Sequence, residues 1–236
     1  MSKTIIRADE RGHAAHGWLN ARHTFSFAGY YNPERVHFGL LRVFNDDIVA
    51  PAMGFGMHPH DNMEIVTIPL KGQLEHKDSE GNHGVITEGE VQVMSAGSGI
   101  YHSEFNPSKE NEVNLLQIWV FPKQRDIEPR YDQKKFDEEG RKNQFQVVAS
   151  PETDNGSLWL NQNVYFNIGN FDAGQSVTYN KKLINNGLWI FVMEGEAEVN
   201  GEKLERRDSA GITDEEAIEI KANKDSKILI IDVPMN

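Results

Sequence analysis

The sequence predicts an all-β protein made of two β-barrel domains with an approximate internal repeat. Three observations predict it. Short runs of β-branched and aromatic residues recur along the 236 residues, separated by Gly, Asn, Asp and Pro, as in strands joined by turns. Long amphipathic helical patterns are scarce. The stretch 65–72, Ile-Val-Thr-Ile-Pro-Leu-Lys-Gly, resembles 189–195, Trp-Ile-Phe-Val-Met-Glu-Gly, as a twice-used structural unit would.

In chain order, strands are expected at 39–44, 64–70, 90–94 and 115–121. Lys71-Gly72 marks a turn after the second of these. Residues 131–143 are polar and charged around Phe136 and follow Pro122 and Pro129, which reads as a linker with room for a short helix. The expected division is a first domain at 1–132, a linker at 133–144 and a second domain at 145–236. Within the second, strands are expected at 188–193 and 227–233. Asn200-Gly201, between Ala197-Glu198-Val199 and Glu202-Lys203-Leu204, is a strong hairpin signal.

Composition excludes several functions. The formal charge is -12, from 36 acidic and 24 basic residues, with no run of Lys and Arg, so no nucleic-acid footprint is expected. The chain has no cysteine, which rules out disulfides, thiolate metal sites and cysteine nucleophiles. No apolar stretch approaches the ~20 residues of a membrane span, and the first ten residues lack a signal-peptide core. A cytoplasmic protein without membrane contact is expected. The acidic stretch Asp214-Glu215-Glu216 reads as a solvated turn.

The chemistry concentrates in two short segments. Gly54-Phe55-Gly56-Met57-His58-Pro59-His60 leads into the strand that ends at Gly72. About forty residues on comes Gly97-Ser98-Gly99-Ile100-Tyr101-His102-Ser103-Glu104. Residues i and i+2 of a strand share a face, so His58 points with His60 and His102 with Glu104. Two such strands meeting would gather three imidazoles and one carboxylate. Three nitrogens and one oxygen suit Fe, Mn, Ni, Cu or Zn. The missing thiolates argue against a closed structural zinc site. Octahedral geometry would leave two positions open, as an oxygen-activating centre needs. Glu64 shares the parity of His58 and His60 but lies about 13 Å beyond His60 in a regular strand, so Glu104 is the preferred oxygen donor. Phe55, Met57 and Trp119 are candidate pocket walls. All nine histidines lie at or before His102. Counting from the repeat's glycines, Lys181 and Leu183 stand where the first half has His58 and His60, so only the first barrel can carry a histidine site. His13, His16, His23, His37, His76 and His83 read as structural or surface residues, with His23 and His37 the nearest to ligand-orienting candidates. Met63 and Met94 read as core.

These segments, with His23-Thr24-Phe25-Ser26-Phe27-Ala28, Leu41-Arg42-Val43-Phe44-Asn45-Asp46-Asp47, Met63-Glu64-Ile65, His76-Lys77-Asp78-Ser79 and Gln117-Ile118-Trp119, resemble the pirin family of the cupin superfamily. The resemblance covers most of residues 11–122, and residues 145–236 look like the degenerate second cupin domain. It implies a bicupin with one divalent metal in the first barrel, iron being the first choice, and places His58, His60, His102 and Glu104 on the pirin ligand positions. General cupins often take their acid from the Glu64 position, so the assignment to Glu104 follows pirins. The implied activity is a quercetin 2,3-dioxygenase type cleavage of a flavonol-like substrate by O2 with release of carbon monoxide, Glu104 also serving as the catalytic base. The alternatives are a non-catalytic, metal-dependent regulatory protein with a protein partner, and a cupin enzyme of another reaction class.

Overall fold

The computed structural model describes residues 3–236 and consists almost wholly of strands. The first large sheet has the order β12 (Arg130–Lys135), β9 (Glu90–Ser95), β6 (Glu64–Lys71), β11 (Val113–Val120), β4 (Leu41–Val49), β3 (Leu19–His23) and β2 (Gly12–Ala15). Facing it is a sheet of β5 (Gly54–His60), β10 (Ile100–Phe105), β7 (Gln73–Asp78) and β8 (His83–Thr87). The second large sheet runs β1 (Lys3–Ile6), β20 (Ser209–Ile212), β17 (Asn186–Glu194), β22 (Ser226–Pro234), β15 (Tyr165–Phe171), β13 (Phe145–Ser150) and β14 (Leu158–Trp159). Its smaller companion holds β16 (Ser176–Asn180), β21 (Ala217–Ala222), β18 (Glu196–Val199) and β19 (Glu202–Glu205).

The two large sheets pack back to back. Val66, Ile68, Leu116, Ile118 and Phe44 from the first share one core with Trp189, Phe191, Leu229 and Ile231 from the second. Their other faces line the two barrel interiors, so β6, β11, β17 and β22 are covered on both sides. That is why they read as nearly continuous apolar runs instead of alternating ones. Each fully buried Val, Leu, Ile or Phe contributes about 1.5–3 kcal/mol, and this seam makes the two barrels one packing unit.

The sequence repeat is structural. Gly72 (φ 79) and Gly195 (φ 86) each follow a central strand and turn the chain from the large sheet into the small one. A side chain at Gly195 would also strike the Asp225 carbonyl at 2.2 Å, so glycine is required on both counts. Asn200 (φ 46) and Gly201 (φ 76) form the tip of the β18–β19 hairpin, the left-handed pair that a tight hairpin demands.

The chain is divided between the sheets differently from the expectation. Residues 133–135, expected in the linker, complete β12, which pairs with β9 through Gln133↔Gln92. Only Glu138–Arg141 makes a 3-10 turn. β12 is a sheet edge with a charged outer face, and edge strands of that kind carry weak strand signals. At the other end, β1 joins the second barrel, Lys3 pairing with Ile212, whereas residues 3–6 were expected in the first domain. No helix of the described residues is long and apolar enough to cross a membrane.

The interiors differ in polarity. In the second barrel Leu188, Ile190, Ile228 and Ile230 fill the space. In the first, Thr67 faces Gln117 across the β6–β11 ladder, where the second has Ile190 facing Ile230. One barrel is filled with hydrocarbon. The other keeps polar groups around a cavity.

Candidate metal centre

β5 and β10 lie side by side, antiparallel, with His102 opposite His58 and Ile100 opposite His60. Cross-strand partners share a face, so all three imidazoles project to the same side. Their ring centroids lie 4.4 Å (His58–His102), 4.8 Å (His60–His102) and 4.9 Å (His58–His60) apart. One nitrogen of each falls within 4.8 Å of the others. A register shift between His102 and Glu104 sets Glu104 opposite Phe55. The extra residue lies in β5, since β10 stays in regular register with β7, so Glu104 keeps the face of His102. Its carboxylate groups with His102 and His76, also within 4.8 Å, and His102 is the shared member.

Hydrogen bonds orient these groups. His58 Nδ1 donates to the Gly56 carbonyl at 2.8 Å, which leaves Nε2 with its lone pair. Gln117 Nε2 donates to Glu104 Oε2 at 2.8 Å, and Gln117 Oε1 accepts from Thr67 at 2.9 Å. Burial pushes the Glu104 carboxyl up to about 7, against the pull of Gln117. Burial pushes His60 down to about 4, helped by His58, and His102 down to about 2, helped by His58 and His60. These two imidazoles are thus held neutral, the form that binds cations.

The donor set fits a divalent transition metal. His102 Nε2 and Glu104 Oε1 are buried with no hydrogen-bond partner. Such atoms are expensive to bury alone, and a cation would satisfy both.

Glu64, the rival acid, sits elsewhere. It is fully buried on β6, and its Oε2 accepts from Ser95 Oγ at 2.7 Å and from the Asn161 backbone N–H at 3.0 Å. Glu64 joins the two barrels instead of facing the histidines.

Beside the histidines opens a cavity of about 880 Å³. Its apolar walls include Trp18, Leu19, Phe27, Phe55 and Trp119, and His58, His60, Glu104, Gln117 and Asp47 are among its polar lining. Trp119 stands edge-on to His60 at 4.8 Å. Of the expected walls, Phe55 and Trp119 are in place, while Met57 points outward and is 59% exposed, because it has the opposite parity to His58. His23 lies in the cavity wall with Nδ1 on Asn45 Oδ1 at 3.0 Å. His37 Nδ1 bonds the Gly39 carbonyl at 2.8 Å and lines no part of the cavity. Met94 is buried core.

Two residues gained a role that sequence reasoning did not give them. Gln117 orients Glu104. His76, read as structural or surface, is wholly buried against His102. The available signal was the His76-x-Asp78 spacing, which repeats the parity of His102-x-Glu104.

Two cupin-type domains, the first with an imidazole cluster beside an aromatic-walled cavity, make this a bicupin. The chain belongs to the pirin family: the Pirin family model matches residues 6–120, and the model of the quercetinase C-terminal cupin domain matches residues 147–233. It is 45% identical over 231 residues, 98% of each chain, to a protein of Escherichia coli (strain K12) named quercetin 2,3-dioxygenase. It is 41% identical to a pirin-like protein of Caulobacter vibrioides over 95% of this chain and 96% of that one. The crystal structure of the bacterial pirin YhhW from Escherichia coli in complex with nickel(II) is similar with TM-score 0.93 and 42% identity, covering 99% of each chain.

Proposed function

We propose that this chain is a metal-dependent dioxygenase of the quercetin 2,3-dioxygenase type. His58, His60, His102 and Glu104 would hold one divalent transition metal, with iron the first choice for oxygen chemistry. The observation that carries this reading is the convergence of three imidazoles, two of which, His58 and His60, line an 880 Å³ aromatic-walled cavity. That volume lies within the range of small-molecule sites. Relatives named quercetin 2,3-dioxygenase and the nickel-bound pirin support it.

A bound divalent ion would supply Lewis acidity, easing ionisation of an enolic hydroxyl. The chain's own groups do the rest. Glu104 accepts the hydroxyl proton, and Gln117, donating to Oε2, aims the carboxylate. Phe27, Phe55, Trp18 and Trp119 flank a planar aromatic ring and exclude water from it. O2 is the second substrate.

The test is quercetin turnover by protein stripped of metal and reloaded separately with Fe(II), Cu(II), Mn(II), Ni(II) and Zn(II), with and without O2. Dioxygen-dependent loss of flavonol absorbance, abolished in His58→Ala, is expected and would name the competent metal. Stoichiometric metal binding with no turnover under any loading would sink the dioxygenase reading.

A further inference from the structure

We infer that Asp78 and His76 form a hydrogen-bond relay that fixes His102 with its proton on Nδ1, leaving Nε2 as the lone pair offered to a cation. The inference rests on the metal-site reading above and deepens it.

The relay begins at Asp78, whose side chain is completely buried. Oδ1 accepts the backbone N–H groups of Glu80 at 3.0 Å and Asn82 at 2.9 Å, and the Asn82 side-chain amide bridges both oxygens, 3.2 Å from Oδ1 and 3.0 Å from Oδ2. These donors fix the carboxylate as an acceptor. The other oxygen, Oδ2, accepts His76 Nε2 at 3.0 Å, so the single proton of a neutral His76 ring sits on Nε2. Its Nδ1 is then an acceptor. That atom lies 3.4 Å from His102 Nδ1, and two lone pairs cannot face each other there. His102 Nδ1 must therefore carry the proton, which frees Nε2. Nε2 is the ring atom that is buried without a protein partner.

The His76 ring is held in plane for this task. It stacks on Tyr131, centroids 4.4 Å apart and 23° between planes, and Tyr131 is tied to Gln133 at 2.6 Å. β7 places Asp78 opposite His102 and His76 opposite Glu104, so both members of the relay come from the strand beside His102. His58 reaches the same protonation pattern through a backbone carbonyl. His102 achieves it with side chains. His76 and Asp78 are positioning residues, acting through His102.

Nitrogen-15 NMR of histidine-labelled, metal-free protein reads the tautomer directly. The expected result is His102 protonated at Nδ1 and His76 at Nε2; His102 protonated at Nε2 would overturn the inference. In Asp78→Asn the carbonyl oxygen stays with the backbone N–H donors and the amide turns to His76. The relay then reverses, the His102 proton moves to Nε2, and Ni(II) affinity falls at least about tenfold, the usual effect of losing a ligand's outer partner. His76→Phe keeps the stack but loses the acceptor, and should weaken Ni(II) equally. His76→Gln, which can donate to Asp78 and accept from His102, should restore affinity to within about threefold of the native protein. Unchanged Ni(II) affinity in both Asp78→Asn and His76→Phe, with native circular dichroism, would overturn the relay. Absence of Ni(II) binding by the native protein would instead remove the metal-site reading, while the tautomer measurement still decides the relay.

Discussion

At the scale of residues, the centre is governed by groups buried in the protonation state they need. His60 and His102 are held at about 4 and about 2, well below the ordinary imidazole value, chiefly by burial. The unfolded chain takes up protons on both as pH falls below about 6.5, and the folded, metal-free chain does not. Stability from these groups is therefore complete above about 6.5 and is lost as pH falls toward their folded values. The metal-free protein should show a lower thermal midpoint at about pH 5 than at about pH 7, with a smaller drop in His102→Gln. Equal drops in the two proteins would remove His102 from the account. Glu104→Gln should retain metal and lose about 100-fold or more in turnover if its carboxylate is the base; full activity in that variant would remove the role.

At the scale of elements, β5 and β10 must approach closely to bring His58 beside His102. Gly54 permits this: a Cβ there would lie 2.2 Å from the Glu104 carbonyl oxygen and 2.6 Å from the Phe105 Cα. Gly54→Ala should destabilise the fold by about 1–3 kcal/mol, as overpacking does. Because the strain falls at the centre, Ni(II) affinity should drop by about tenfold or more; calorimetric titration would show it, and native affinity would refute the close-approach argument. Much of this was legible beforehand. The i, i+2 spacing put each histidine on its face, and Gly72 and Asn200-Gly201 announced their turns. The sequence could not show that the two histidine strands are hydrogen-bonded neighbours, since pairing is long-range. Nor could it show that His76, opposite Glu104 on β7, is buried against His102. β12 stayed hidden because Arg130, Asp132, Lys134 and Lys135 on an exposed edge resemble a linker.

At the scale of the whole molecule, the barrels share a core that neither owns. Trp189 packs on Phe25, Phe38 and Phe44 of the first half, and Glu64 reaches the Asn161 backbone from the other side. Calorimetry should therefore show one unfolding transition for both barrels. Trp189→Ala should lower stability by about 3–5 kcal/mol while leaving that transition single; two resolved transitions would show the barrels to be independent. The opening strand adds a further consequence. β1 finds its neighbour in β20, and Arg7 just after it reaches Glu202 and Asp208, some two hundred residues along the chain. During synthesis those first residues leave the ribosome long before their partners exist. β1 and Arg7 must wait, unpaired, while the barrel that follows them assembles, and they are seated only when residues 202–212 have been translated.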